Sequence, residues 1–157
     1  MKIYKLQREH LINTNIDELW HFFSDAKNLQ ALTPSYMKFV ITSGKLPDKV
    51  YPGQMITYKV SPLLSIPLTW VTEITQVKEG EYFIDEQRIG PYRMWHHEHH
   101  FKQTGQGVLM TDIVHYALPF GPLGSLAHAL FVKKQLNNIF NYRHDKIEQL
   151  FNKLTGQ

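Results

Sequence analysis

Hydrophobic and polar positions change rhythm three times along this chain. Residues 2–13, KIYKLQREHLIN, alternate with a period of two, Ile3, Lys5 and Gln7 against Tyr4, Leu6 and Arg8, which suits a first strand. In NTNIDELWHFFSD the spacing lengthens, and Ile16, Leu19, Trp20 and Phe23 fall on one helical face. Asn15 is placed to cap that helix, with Asp17 and Glu18 in its first turn, where the dipole favours negative charge. A second short helix, about Lys27–Leu32, should end before Pro34, because the residue preceding a proline resists helical geometry. Six strand-like stretches rich in Tyr, Val, Ile, Thr, Phe and Trp follow: Tyr36–Thr42, Gln54–Val60, Leu68–Val77, Glu81–Arg88, Arg93–Gln103 and Val108–Leu118. Short joins between them imply an antiparallel meander. From about Leu123 to Leu154 the period returns to 3.6, with Leu126, Leu130, Leu136, Ile139, Phe140, Ile147 and Leu150 as the apolar stripe of one long helix. The fold class is therefore α+β: a curved antiparallel sheet of seven strands around a long C-terminal helix, two short helices after the first strand, one domain over residues 1–157.

Alternating strand direction sorts the joins by end. SPLLSIP, IGP and LPFGPLG fall at one end of the sheet, and PDKVYPG, KEG and TGQG at the other. The first set is apolar where loops are ordinarily polar. One reading makes Leu63, Leu64, Ile66, Phe120 and Leu123 the lip of a hydrophobic pocket between sheet and helix, with Ile89 nearby. The other makes them packing under the helix start or a contact with a second copy.

The stretch MWHHEHHF, residues 94–101, puts four histidines within five positions. A strand sends successive side chains to opposite faces, so Trp95, His97, His99 and Phe101 share one face and His96, Glu98 and His100 the other. A two-residue turn at Gly105–Gln106 sets Phe101 against Met110, His99 against Asp112, His97 against Val114 and Trp95 against Tyr116. That face has the mix of aromatic, apolar and sparse polar groups expected of a cavity wall. Parity adds Leu68, Trp70, Thr72 and Ile74 from one neighbouring stretch and Phe83, Asp85 and Gln87 from another. The candidate ligand-binding set is thus Trp70, Asp85, Gln87, Trp95, His97, His99, Asp112 and Tyr116. An inward Asp85 or Gln87 needs a partner such as His97 or Tyr116; the alternative turns both to solvent and puts Ile84 in the core. The outer face carries His96, Glu98 and His100 beside His115, Ile113 and Thr111, and is read as solvated. His97 and His99 with Asp112, or the outer trio, offer three metal ligands, but a closed site wants four and no separate segment completes either set. No metal is expected. A hydrogen bond between His99 and Asp112 in a semi-buried wall accounts for that pair.

Composition narrows the function classes. With no cysteine there is neither a disulfide framework nor a thiolate site. MKIYKLQREHLI lacks the long apolar stretch of a secretory signal. The run Ala117–Val132 is shorter than the roughly 20 residues of a membrane span and contains Pro and Gly. A cytoplasmic protein without membrane insertion is the expectation. The net charge of +3 is scattered, with no basic stripe interleaved with exposed aromatics, so nucleic acid is not an expected partner.

In its order of elements, and in GPYRMWHHEHHF, MTDIVHYALPFGPLG and LFVKKQLNNIFNYRHDKI, the chain resembles the START-like ligand-binding superfamily called SRPBCC. Within it the likeness is greatest to a bacterial branch near polyketide cyclases and dehydrases, and it covers essentially the whole chain. The resemblance implies a helix-grip fold with a deep cavity between sheet and last helix. Members bind lipids, hormones, polyketides or other apolar molecules, and a minority carry out cyclase or hydrolase chemistry. It transfers wall positions to Trp95, His97, His99, Phe101, Asp85, Gln87 and Gly90 to Tyr92, but no mechanism. The leading expectation is binding of a hydrophobic or aromatic small molecule, without a cofactor. The alternative is a cyclase or dehydratase in which His97 or His99 is the general acid/base, oriented by Asp112 or Asp85, with Tyr116 polarising a carbonyl. No Gly-x-Ser-x-Gly element supports a covalent mechanism. A protein-contact module using the apolar loops is a third possibility, and the oligomeric state is left open.

Overall fold

The computed structural model describes residues 1–61 and 66–152; the expectations placed on Leu63, Leu64 and the helix end at Leu154 fall outside them. In chain order the elements are β1 (Tyr4–Ile12), α1 (Ile16–Ser24), two 3-10 turns (Ala26–Gln30 and Ser35–Met37), β2 (Val40–Ile41), β3 (Gln54–Val60), β4 (Leu68–Lys78), β5 (Tyr82–Ile89), β6 (Met94–Thr104) and β7 (Gly107–Ala117). A C-terminal helix then runs from Gly121 to Asn152. It comprises α2 (Gly121–Ala127), a π-helical stretch His128–Val132, α3 (Lys133–Ile147) and a second π stretch Glu148–Asn152. The seven strands form one antiparallel sheet in the order β1-β7-β6-β5-β4-β3-β2. From β3 to β7 it is the expected meander; β1 returns along the far edge beside β7, and α1 with the 3-10 turns crosses to β2.

Local chemistry explains the start of α1. The Asn15 side chain accepts the Glu18 N–H at 2.9 Å, and Asp17 and Glu18 occupy the first turn. Its apolar face delivers Leu19, Trp20 and Phe23 to the core, where Trp20 meets Phe83 and Phe101 edge-on. The second expected helix is a 3-10 turn, capped by Asp25 on the Lys27 N–H at 2.9 Å.

Two expectations need correction. Of the stretch Tyr36–Thr42 only Val40–Ile41 is a strand. Local hydrogen bonds from Met37 to Pro34 and from Lys38 to Ser35 close a turn, and Lys38 then takes a left-handed φ of 48°. Met37 and Phe39 are buried beside it, so the β-preference of these residues loses to turn geometry and packing. The long helix exists, but its buried stripe is confined to the second half: Leu136, Phe140, Arg143 and Ile147. Leu126 and Leu130 are 56% and 58% exposed. Each π turn inserts one extra residue and rotates the helical phase, so a single 3.6-residue stripe cannot run from end to end. No helix among the described residues is long and apolar enough to cross a membrane.

Candidate functional site

The β6–β7 register is the one the Gly105–Gln106 turn predicts: Trp95 lies opposite Tyr116, His97 opposite Val114, His99 opposite Asp112 and Phe101 opposite Met110. On the other side of β6, Asp85 pairs with His97 and Phe83 with His99. Phe83, Asp85 and Gln87 therefore turn inward, and Asp85, His97, His99 and Asp112 lie side by side across three strands on the concave face. From above, α3 lowers Arg143 onto them.

These five side chains form one hydrogen-bonded cluster. Asp112 Oδ1 is its hub, 2.9 Å from His97 Nε2, 3.1 Å from His99 Nδ1 and 3.4 Å from the Arg143 guanidinium. Asp85 Oδ2 lies 2.8 Å from His99 Nε2 and 3.5 Å from His97 Nδ1. The two imidazole centroids are 3.7 Å apart, and Phe83 stacks on His99 at 4.1 Å. His97, His99, Asp112 and Arg143 are buried, and Asp85 keeps 15% of its side chain exposed. The sequence reading paired His99 with Asp112; that contact is present, but His97 makes the shorter bond to Asp112, and the partner of Asp85 is chiefly His99.

Burial without compensation would neutralise these groups, so their charges depend on one another. Burial raises the Asp112 carboxyl, yet the Arg143 charge and the two histidine hydrogen bonds hold it well below the usual carboxylate range. Asp85 behaves likewise: burial pushes it up, while the His99 bond and the His97 charge bring it below its ordinary value. For His99, burial lowers the pKa but hydrogen bonds to Asp112 and Asp85 outweigh it and raise it; for His97, burial and the neighbouring His99 lower it. The guanidinium and the two imidazoles set beside the two carboxylates are what permit the burial of so many polar groups.

Beside it stands an aromatic wall. Trp70 meets Trp95 edge-on at 5.4 Å, and Tyr58, Tyr92 and Tyr116 continue the contact. Burial pushes the Tyr58 and Tyr92 phenols up, so both stay neutral donors. The Trp70 indole N–H and the Arg143 Nε–H are buried and have no hydrogen-bond partner among the described residues. Gln87 is committed elsewhere: its amide donates to the Tyr92 carbonyl at 2.6 Å and accepts the Tyr92 N–H at 3.2 Å, fastening the Gly-Pro-Tyr turn. The Tyr116 hydroxyl lies 2.9 Å from His128 Nε2, and Tyr4 stacks on His128 at 3.5 Å. Of the lip residues, Ile66, Phe120 and Leu123 are 55%, 79% and 72% exposed. Phe120 borders an open depression of about 670 Å³ between the start of β1, the end of β7 and α2, with Tyr4 among its walls. A second, of about 500 Å³, lies by Gln87, Trp95, His96 and His115. Neither is lined by Trp70, His97, His99 or Asp112. On the outer face, Glu86 and Glu98 pair with His96 and His100.

Arg143, Tyr58 and His128 were absent from the sequence-derived set, and Tyr92 entered only through the resemblance. Arg143 left a signal: it sits three residues after Phe140 and four before Ile147, in phase with the buried stripe. A charge in that phase needs a buried counter-charge.

A sheet curled around a C-terminal helix, with aromatic and ionic groups on its concave side, defines a helix-grip domain. No family model matches the chain, and no curated protein matches it in sequence. Solved structures do share the fold. Protein CV1439 from Chromobacterium violaceum superposes with a TM-score of 0.70 at 9% identity, covering 94% of this chain and 96% of its own. Protein Ms6760 from Mycobacterium smegmatis gives 0.63 at 14% identity, covering 95% and 98%. Ginseng major latex-like protein 151 from Panax ginseng gives 0.64 at 13% identity, covering 94% and 96%. These likenesses show the helix-grip fold.

Proposed function

We propose that this protein binds a hydrophobic or aromatic small molecule between the concave sheet face and the C-terminal helix. The observation that carries this reading is the aromatic wall with its unsatisfied Trp70 N–H: a large apolar surface with one buried donor lacking an acceptor. A buried donor left unmade costs about 1–3 kcal/mol, and a ligand acceptor would recover it. Entry is from the depression beside Phe120, where α2 presents Leu123 and Leu126 outward instead of packing them on the sheet. The ligand is a small molecule rather than a nucleic acid, and the proposed compartment is the cytoplasm.

A second reading, a cyclase- or dehydratase-like enzyme, is favoured by the two imidazole–carboxylate pairs, His97 with Asp112 and His99 with Asp85. In it one imidazole takes a proton and the other gives one. Native mass spectrometry followed by denaturing extraction tests both. A co-purifying apolar compound, lost in Trp95→Ala with the fold intact, supports binding. Conversion of that compound by the wild type but not by His97→Gln supports the enzyme. If neither the purified protein nor a screen of aromatic and lipid compounds yields a ligand that quenches Trp70 and Trp95 fluorescence, the binding proposal fails.

A further inference from the structure

We infer that Asp85, His97 and His99 form a binding site for a divalent transition-metal ion, with Asp112 orienting both histidines from behind. Each of the three side chains offers one ligand atom, and Asp85 Oδ2, His97 Nδ1 and His99 Nε2 lie within 4.8 Å of one another. A tetrahedral ion with bonds near 2.0–2.2 Å holds its donors about 3.3 Å apart. The Asp85–His97 and Asp85–His99 separations, 3.5 and 2.8 Å, straddle that distance, and the two imidazole nitrogens lie within 4.8 Å of each other.

The rear of the site is built as metal sites are. A metal-bound imidazole characteristically donates its second N–H to a carboxylate, which fixes the tautomer and the ring plane. Here Asp112 Oδ1 faces His97 Nε2 at 2.9 Å and lies 3.1 Å from His99 Nδ1, which the Arg143 guanidinium also contacts at 3.2 Å; these are the two nitrogens that point away from Asp85. With its proton on Nε2, His97 turns a bare Nδ1 lone pair towards another acceptor, Asp85 Oδ2. Two acceptors facing each other across 3.5 Å are matched by a cation between them.

Charge and donor type define the ion. With both imidazoles neutral, Asp85, Asp112 and Arg143 leave one negative charge. A divalent ion makes it one positive charge, and a single anionic oxygen at the remaining coordination position restores neutrality. Two nitrogens and one oxygen exclude the all-oxygen preference of calcium and magnesium and suit zinc, cobalt or nickel. The sequence offered Asp112 as the third ligand; the structure puts Asp85 there. This site stands apart from the binding proposal, because the ion alone is the probe.

The test must separate this site from a second trio, His10, His144 and Glu148, gathered on β1 and the C-terminal helix. Chelator-stripped protein is titrated with Co²⁺ and with Zn²⁺ in the His144→Ala background, which dismantles that trio. The expected result is one equivalent per chain, with the visible Co²⁺ absorption of a nitrogen–oxygen site of low coordination number. Two hyperfine-shifted imidazole N–H signals should accompany it, a readout that needs no mutation in the site. Asp85→Asn, with native far-UV circular dichroism, should abolish binding, and Asp112→Asn should weaken it about 10- to 100-fold. Absence of stoichiometric binding in the folded His144→Ala protein, or binding unchanged by Asp85→Asn, overturns the assignment.

Discussion

Arg143 sits 7% exposed at the base of α3, and replacing it with methionine is the most direct strain on the ionic cluster. Methionine keeps the apolar stem but not the guanidinium, which lies 5.2 Å over the Phe23 ring and 6.0 Å over the Phe140 ring. What is lost is the cation 3.4 Å from Asp112 Oδ1. The Asp112 carboxylate then stays buried without that counter-charge, and removing one partner of a buried pair costs about 3–5 kcal/mol. At roughly 2–4 °C per kcal/mol for a chain of this size, melting should fall by about 6–20 °C. Asp112→Asn alone should also destabilise, since it strands the opposite charge. The double variant, with neither charge, should cost less than the sum of the two, with a coupling of at least about 1 kcal/mol. Urea unfolding followed by far-UV circular dichroism reads all four proteins. A loss under about 1 kcal/mol for Arg143→Met, or additive single effects, would refute the claim that this guanidinium balances the buried carboxylates.

Gln87→Ala removes both amide bonds to the Tyr92 main chain and should cost about 1–3 kcal/mol in the same unfolding assay; a change below about 0.5 kcal/mol would mean that water replaces them. The double variant Phe120→Ser with Leu123→Ser should stay within about 0.5 kcal/mol of the parent, because both side chains are solvent-facing, whereas a large loss would show them covered. His128 should titrate below its ordinary value of 6.5, because burial and then the Lys133 and Lys2 charges disfavour its cation. A depressed folded pKa means that its contribution is complete above the unfolded value and is lost as pH falls through the folded one. Histidine ring-proton shifts followed by NMR between acid and neutral pH check this, and a value at or above 6.5 contradicts it.

What could be read from the residues follows from how each element stores phase. In β6 and β7 a two-residue turn leaves one register and period two leaves one choice of face, so the Trp95, His97 and His99 partners could be derived without coordinates. Asp85 followed from parity in YFIDEQR, although β4 and β5 contain register shifts at Val71/Thr72 and Ile74/Gln76 that sequence gives no reason to place. A helix stores phase less securely: a π turn advances the face by one residue, and the one at His128–Val132 separates the outward Leu126 from the inward Arg143. That is why the strand half of the site was legible and its helical half was not. The missing half is also the part that sets the charge. Without Arg143, His97, His99 and Asp112 read as a neutral hydrogen-bonded wall. With it, Asp112 has its own counter-charge, and Asp85 is the carboxylate that faces the other nitrogen of each ring.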